Sequence, residues 1–387
     1  MWGAASSHTW MQRVANEMSR NNFPLLSRRR FLSSLTATAS AGLVLPPRLM
    51  AAQKPESSTF IFTNDIHACR MANGLAPNCA EEGKTDANLL RHVRAINSVP
   101  RLFWPNEISG KPTNLMGAGK RMATPRGVVT GGDLTDDGGG QRALPGEGYQ
   151  LRQFSQRYEQ GVGQDRVHFP VYLGLGNHDL DQDGPPHVDW YRRELRDYVE
   201  MNHRSTVFFK PPVPVTNYDV ESDCYSWDWP NVHLVQTQRF AGDTVKGAIS
   251  GLDWLAADLA TYAANRKPVI LFQHYGWDPF STEMWDAEKR TFDTQGSGPP
   301  HWWSEEDRAK MVEILKPYNV IALFHGHQHE TAMIYNRDGI DIFKPKAGYM
   351  GGFAVVNVMA EALDVVLCEA SRGDGSVEFT DSFSKTI

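Results

Sequence analysis

Six short apolar runs constrain what this chain can fold into more than any other feature. They lie at residues 59–63, 128–130, 171–175, 233–237, 268–272 and 320–324, and each stops at a polar cluster. Rich in β-branched and aromatic side chains, they have the pattern of strands buried on both faces. The stretches between them, at 86–97, 148–160, 188–202, 251–265 and 304–316, suit helices. Strand, polar loop and helix recurring in that order predict α/β layering. The tail at 341–387 differs, because apolar runs at 342–343, 353–359, 363–368 and 377–379 alternate with glycine and charged turns. Those runs predict further strands completing a sheet. Linker-like stretches occur at 131–146 and 181–186, and an irregular insertion runs over 275–303. With 387 residues, 41% of them hydrophobic, and no internal repeat, the chain is expected to form a single domain over 53–387.

The polar clusters carry the chemistry. The first run ends in Asn64-Asp65-Ile66-His67, the second in Gly131-Gly132-Asp133, and the third in Gly174-Leu175-Gly176-Asn177-His178-Asp179. The fifth ends in Gln273-His274 and the sixth in His325-Gly326-His327-Gln328-His329. Five strand ends are thus expected to bring carboxylate, amide and imidazole groups to one edge of the sheet, where ligands sit in open α/β folds. Mixed carboxylate and imidazole donors without thiolate suit Mn, Fe, Zn, Co or Ni, and so many imidazoles argue against calcium or magnesium alone. Seven such donors predict two divalent or mixed-valence transition metal ions. Paired cations suit phosphoester hydrolysis, because they neutralise phosphoryl oxygens and acidify a water between them. A net charge of −6 gives no polybasic surface, so a nucleic-acid polymer is not an expected partner. A small-molecule phosphoester, a nucleotide or a lipid headgroup fits that charge better.

In order, Asp-x-His, Gly-Asp, Gly-Asn-His-Asp, His and Gly-His-x-His resemble the calcineurin-like metallophosphoesterase superfamily, over the span from Asp65 to His329. The resemblance implies a four-layer α/β/β/α sandwich. It implies that Asp65, His67 and His329 hold a first metal, that Asn177, His274 and His327 hold a second, and that Asp133 bridges them. By the same resemblance His178 faces the phosphoryl oxygen or leaving group, Asp179 orients the His178 ring, and a metal-bridging hydroxide is the nucleophile. Two departures narrow the subfamily. No tyrosine follows Asp133 as in purple acid phosphatases, and Asp136-Asp137-Gly138 puts a carboxylate where serine/threonine protein phosphatases carry a phosphate-binding arginine. Phosphomonoesterase and phosphodiesterase activities both stay open.

The N-terminus reads as an address. Ser27-Arg28-Arg29-Arg30-Phe31-Leu32, followed by a weakly apolar stretch to Leu45 and small residues at Ala51 and Ala52, resembles a twin-arginine export signal within residues 1–52. The expected destination is periplasmic or extracellular, with the twin-arginine machinery as a transient partner and peripheral membrane contact left open. Of four cysteines, Cys69 and Cys79 either close a short loop or remain buried thiols. The insertion holds Tyr275, Trp277, Phe280, Trp285, Phe292, Trp302 and Trp303. Tyr275 and Trp277 are candidate substrate contacts, with a satellite core as the alternative role for the group. Tyr225-Ser226-Trp227-Asp228-Trp229 is expected to be core strand. An alternative function is a non-catalytic, metal-containing binding or toxin-like module that engages a membrane or a protein through the aromatic loop.

Overall fold

The computed structural model describes residues 57–138, 148–161, 163–180, 193–277, 285–286, 288–292, 303–371 and 373–387. The export signal, the stretch at 181–186 and most of the aromatic insertion lie outside these residues. Among the described residues thirteen strands form two large sheets. In chain order they are β1 (Ser58–Thr63), β2 (Val128–Thr130), β3 (Val171–Tyr172), β4 (Asn217–Tyr218), β5 (Tyr225–Trp229), β6 (Val232–Gln236) and β7 (Pro268–Phe272). The remainder are β8 (Asn319–Phe324), β9 (Met333–Arg337), β10 (Ile340–Lys344), β11 (Gly352–Val358), β12 (Ala362–Ala370) and β13 (Val377–Thr386). One sheet runs β13-β12-β11-β1-β2-β3 and the other β9-β10-β8-β7-β6-β5-β4. Parallel pairing joins β1, β2 and β3 at one side of the first sheet, and β6, β7, β8 and β10 through the middle of the second.

Side-chain alternation along the strands builds the layers. Phe60 and Phe62 of β1 meet Phe272 and Phe324 of the other sheet at ring-centroid distances of 5.2 to 6.0 Å, so the sheets pack face to face. In β7, Ile270 and Phe272 join that inter-sheet core, whereas Val269 and Leu271 join a second core on the opposite face. The second core is completed by Leu255 and Leu259 of α5 (Leu252–Tyr262) and by Met311 and Leu315 of α6 (Glu305–Leu315). On the far side of the first sheet lie α1 (Asp86–Ser98) and α2 (Tyr149–Tyr158), burying Leu89, Val93, Ile96 and Phe154. The order is helix, sheet, sheet, helix, the expected four-layer sandwich. Capping fixes where helices begin: Thr85 accepts from the Asn88 amide at α1, and Ser304 accepts from the Asp307 amide at α6, where three acidic residues fill the first turn.

Three expectations need correction. The ligand-bearing strand ends do not belong to one sheet, since β1, β2 and β3 lie in the first and β7 and β8 in the second. Strand β3 stops at Tyr172 rather than 175, because the next three amides are taken by side chains. Leu173 donates to Nε2 of His203 at the end of α4 (Arg193–His203), Gly174 to Thr130 Oγ1 and Leu175 to Gln238 Oε1, at 2.8 to 3.0 Å. The described part of the supposed linker at 131–146 is no linker, for Gly131 to Thr135 are buried and carry Asp133. Tyr225–Trp229 is a core strand, and Cys69 and Cys79 are joined in a disulfide. Among the described residues no helix is long and apolar enough to cross a membrane.

Candidate metal centre

The ends of β1, β2, β7 and β8 and the short helix α3 (Asn177–Leu180) converge. Asp65, His67, Asp133 and His329 bring one ligand atom each within 4.8 Å of one another, and Asp133, His274 and His327 form a second such group. Asp133 belongs to both. His67 Nε2 is 3.1 Å from His329 Nε2 and 3.6 Å from Asp133 Oδ2, and His329 Nε2 is 3.5 Å from Asp65 Oδ1. On the other side His274 Nε2 lies 3.1 Å from Asp133 Oδ2 and 3.0 Å from Asn177 Oδ1. All seven residues proposed from the sequence as ligands therefore lie in one cluster.

The backbone is bent to achieve this. Asp65, His67, Asp133 and His327 have φ of 48°, 46°, 51° and 75°, a left-handed conformation that costs non-glycine residues about 1–3 kcal/mol each and that gathers at functional sites. Neighbouring glycines leave room for the carboxylates. A Cβ on Gly176 would sit 2.2 Å from Asp133 Oδ1, and one on Gly326 would sit 2.7 Å from Asp65 Oδ2.

An outer ring of hydrogen bonds aims the imidazoles. His67 Nδ1 meets Asp136 Oδ1 at 3.1 Å, His274 Nδ1 meets the Gly131 carbonyl at 2.9 Å, and His329 Nδ1 meets the Tyr349 hydroxyl at 3.2 Å. When Nδ1 of His67 and His274 donates to these oxygens, Nε2 is left as a lone pair facing the centre, the tautomer a metal ligand requires. Lone pairs and carboxylates converging within a few ångströms repel one another unless cations lie between them. Buried Asp133 Oδ2 stands between His274 Nε2 at 3.1 Å and His67 Nε2 at 3.6 Å, facing both halves of the cluster. Donor chemistry and this shared oxygen fit two cations.

The electrostatics agree. Burial works against ionisation of Asp65, yet the hydrogen bond and charge of His329, with the charge of His274, bring it down to about 2. Burial likewise opposes Asp133, and the charges of His274 and His178 hold it well below the carboxylate range. His67 is pushed down to about 4 by burial and so is neutral. Against its own burial, His274 is raised to about 9 by the charge of Asp133.

Asp179 differs in role from the expectation. The His178 ring is set by Nδ1 against the Asp136 carbonyl, and its amide donates to Asp133 Oδ1 at 2.9 Å. Asp179 does not touch that ring. It accepts from the Leu134, Thr135 and Gly176 amides and from Thr135 Oγ1, at 2.7 to 3.0 Å. Amides outnumber the imidazole as available donors there, so Asp179 pins the Asp133 loop to the Asn177 helix. Burial, then the Asp133 charge, raises it to about 6.

Trp277 is not a substrate contact either. Only 1% exposed, it packs on Trp303 in the second core. Tyr275 is also mostly buried, but its ring stands 4.7 Å from that of His327. Sequence reasoning missed Asp136 and Tyr349 as supports of the centre. Asp136 was within reach as the carboxylate three residues after Asp133, whereas Tyr349 sits in no motif.

Comparison with known proteins follows the same lines. The profile described as calcineurin-like phosphoesterase matches residues 58–331. Curated protein sequences give no match. Among solved structures, a dimetal phosphatase from Danio rerio is similar at 13% identity and a TM-score of 0.50, over 85% of this chain and 98% of its own. Purple acid phosphatase PPD1 from yellow lupin (Lupinus luteus) seeds is 12% identical with a TM-score of 0.49, over 86% of this chain and 54% of its own. A structure described as PhoD is 10% identical with a TM-score of 0.49, over 86% and 70% respectively.

Proposed function

Since this chain belongs to the calcineurin-like phosphoesterase family and is a phosphoester hydrolase, we propose that it works through a binuclear metal centre built on Asp133. Asp65, His67 and His329 hold one cation in this reading, and Asn177, His274 and His327 hold the other. The observation that carries it is the membership of Asp133 in both ligand groups. When bound, the cations supply charge neutralisation at the phosphoryl oxygens and a water acidified to act as nucleophile at neutral pH.

The chain's own groups do the rest. His178, raised above the usual histidine range against its own burial by the charge of Asp133 together with the carbonyl and charge of Asp136, faces the same cluster as His67, 4.7 Å away ring to ring. A protonated imidazole there steadies a phosphoryl oxygen or protonates the leaving alkoxide. Buried Asp133 and Asp65 keep their charge, so the donor set stays negative across the physiological range.

The proposed substrate is a small phosphoester, nucleotide or lipid headgroup outside the cytoplasm, in line with the net charge of −6 and the arginine pair at Arg28 and Arg29. Replacing both arginines by lysine should strand the protein in the cytosol. Hydrolysis of p-nitrophenyl phosphate and bis-p-nitrophenyl phosphate, with Mn and Zn added in turn, tests the chemistry and separates monoester from diester preference. Turnover that requires added metal is expected. Absence of turnover on both compounds, in protein that has taken up two metals, would overturn the catalytic reading.

A further inference from the structure

Lys84 is nearly buried, 7% exposed, and touches no residue of the ligand set directly. Its Nζ lies 2.7 Å from Asp136 Oδ1 and 2.7 Å from Glu82 Oε2. Placing an ammonium where water is scarce is costly unless partners compensate, so two carboxylates at that distance explain how it is tolerated there. They do not explain why a lysine stands at this place.

The Asp136 oxygen that receives Lys84 is the same Oδ1 that faces His67 Nδ1 at 3.1 Å. Lys84 Nζ also stands 5.8 Å over the ring of Tyr349, whose hydroxyl meets His329 Nδ1 at 3.2 Å. Both imidazoles of the first cation's ligand set are thus supported by groups that Lys84 contacts. The imidazole of the second set whose outer partner is known, His274, relies on the Gly131 carbonyl and not on this network.

Lys84 is itself held firmly. Its amide donates to the Cys79 carbonyl at 2.8 Å, inside the segment tied by the Cys69–Cys79 bridge, and the next residue, Thr85, caps α1. Asp136 is anchored from the other side, its amide donating to the Ala68 carbonyl at 3.0 Å and to Gln150 Oε1 at 2.8 Å.

We propose that Lys84 is a positioning residue for the first of the two cations, fixing Asp136 and Tyr349 so that His67 and His329 present Nε2 to one point. This rests on the binuclear reading above. Without the ammonium, Asp136 loses the charge that fixes its Oδ1 beside His67 Nδ1. Loss of an outer partner of a metal ligand costs about 10–100-fold in metal affinity.

The test is stepwise Co(II) titration of the metal-free full chain, read by visible absorption and equilibrium dialysis, for the unsubstituted protein, Lys84→Met and Lys84→Arg. His329→Ala and His274→Ala mark which spectral step belongs to which cation. Lys84→Met should weaken the step missing in His329→Ala by about 10–100-fold and leave the step missing in His274→Ala unchanged, and Lys84→Arg should restore most of the loss. Lys84→Gln substitutes for Lys84→Met if the latter does not fold, with the same expectation. Equal weakening of both steps, or no weakening of the first, would overturn the proposal. An unsubstituted protein that binds fewer than two Co(II) would instead overturn the binuclear reading itself.

Discussion

Asp133 and His274 face each other across the junction of the two sheets, Oδ2 to Nε2 at 3.1 Å, one at the end of β2 and the other just beyond β7. No single strand–helix unit can make this pair. Because the other oxygen of Asp133 is tied to the His178 amide, the carboxylate is fixed in one orientation with Oδ2 turned to both halves of the cluster.

Asp133→Asn removes the charge while keeping the shape. With one fewer negative charge shared by two cations, both sites should empty or loosen, and turnover should fall with metal content. Metal analysis of the purified variant beside its activity checks this. Full metal occupancy with full activity would rule out a bridging role for Asp133.

His178→Ala should separate chemistry from metal binding. The amide that holds Asp133 Oδ1 is a backbone group and survives the substitution. Metal content should stay at the unsubstituted level, while kcat drops by about 10²–10⁴-fold, the range for losing a general acid or its charge. A drop in metal content of the same proportion would instead make His178 a structural residue.

Asp179→Ala should act through the scaffold. Three buried backbone amides and the Thr135 hydroxyl lose their acceptor, and leaving buried donors unsatisfied costs about 1–3 kcal/mol. Thermal unfolding of the metal-free variant measures it. An unchanged Tm would contradict the pinning role.

Metal uptake should depend on pH with a definite sign. In the metal-free protein His274 is raised to about 9, above its unfolded value, so it holds a proton at pH 7 that a cation must displace. Affinity at the second site should therefore rise as pH increases towards about 9 and level off beyond it. Without metal the same shift runs the other way: its contribution to stability is complete below the ordinary histidine value and is lost as pH rises through about 9. Calorimetry in buffers of different ionisation enthalpy should show a proton released per chain at pH 7. Proton-neutral binding would show that His274 is not displaced.

What could be read from the chain was what lies close together in it. The run 268–272 became β7 at those boundaries, because apolar continuity and the polar stop at Gln273 are local signals. The cluster of candidate donors was legible for a related reason, each donor lying within a few residues of a strand end. The division into two sheets was not, since strands buried on both faces look alike whichever sheet they join. Trp277 had the composition of a binding residue but lies in the second core, a matter decided by Trp303, which follows 26 residues later. Asp179 follows His178 directly, yet the donors that claim it come from the Asp133 loop and from Gly176.

The most direct measurement is anomalous scattering from crystals of the metal-loaded protein soaked with vanadate. Two ions about 3.5–4 Å apart are predicted, both touching the Asp133 carboxylate, with Asp65, His67 and His329 on one and Asn177, His274 and His327 on the other. A single ion, or two ions that share no contact with Asp133, would contradict the account.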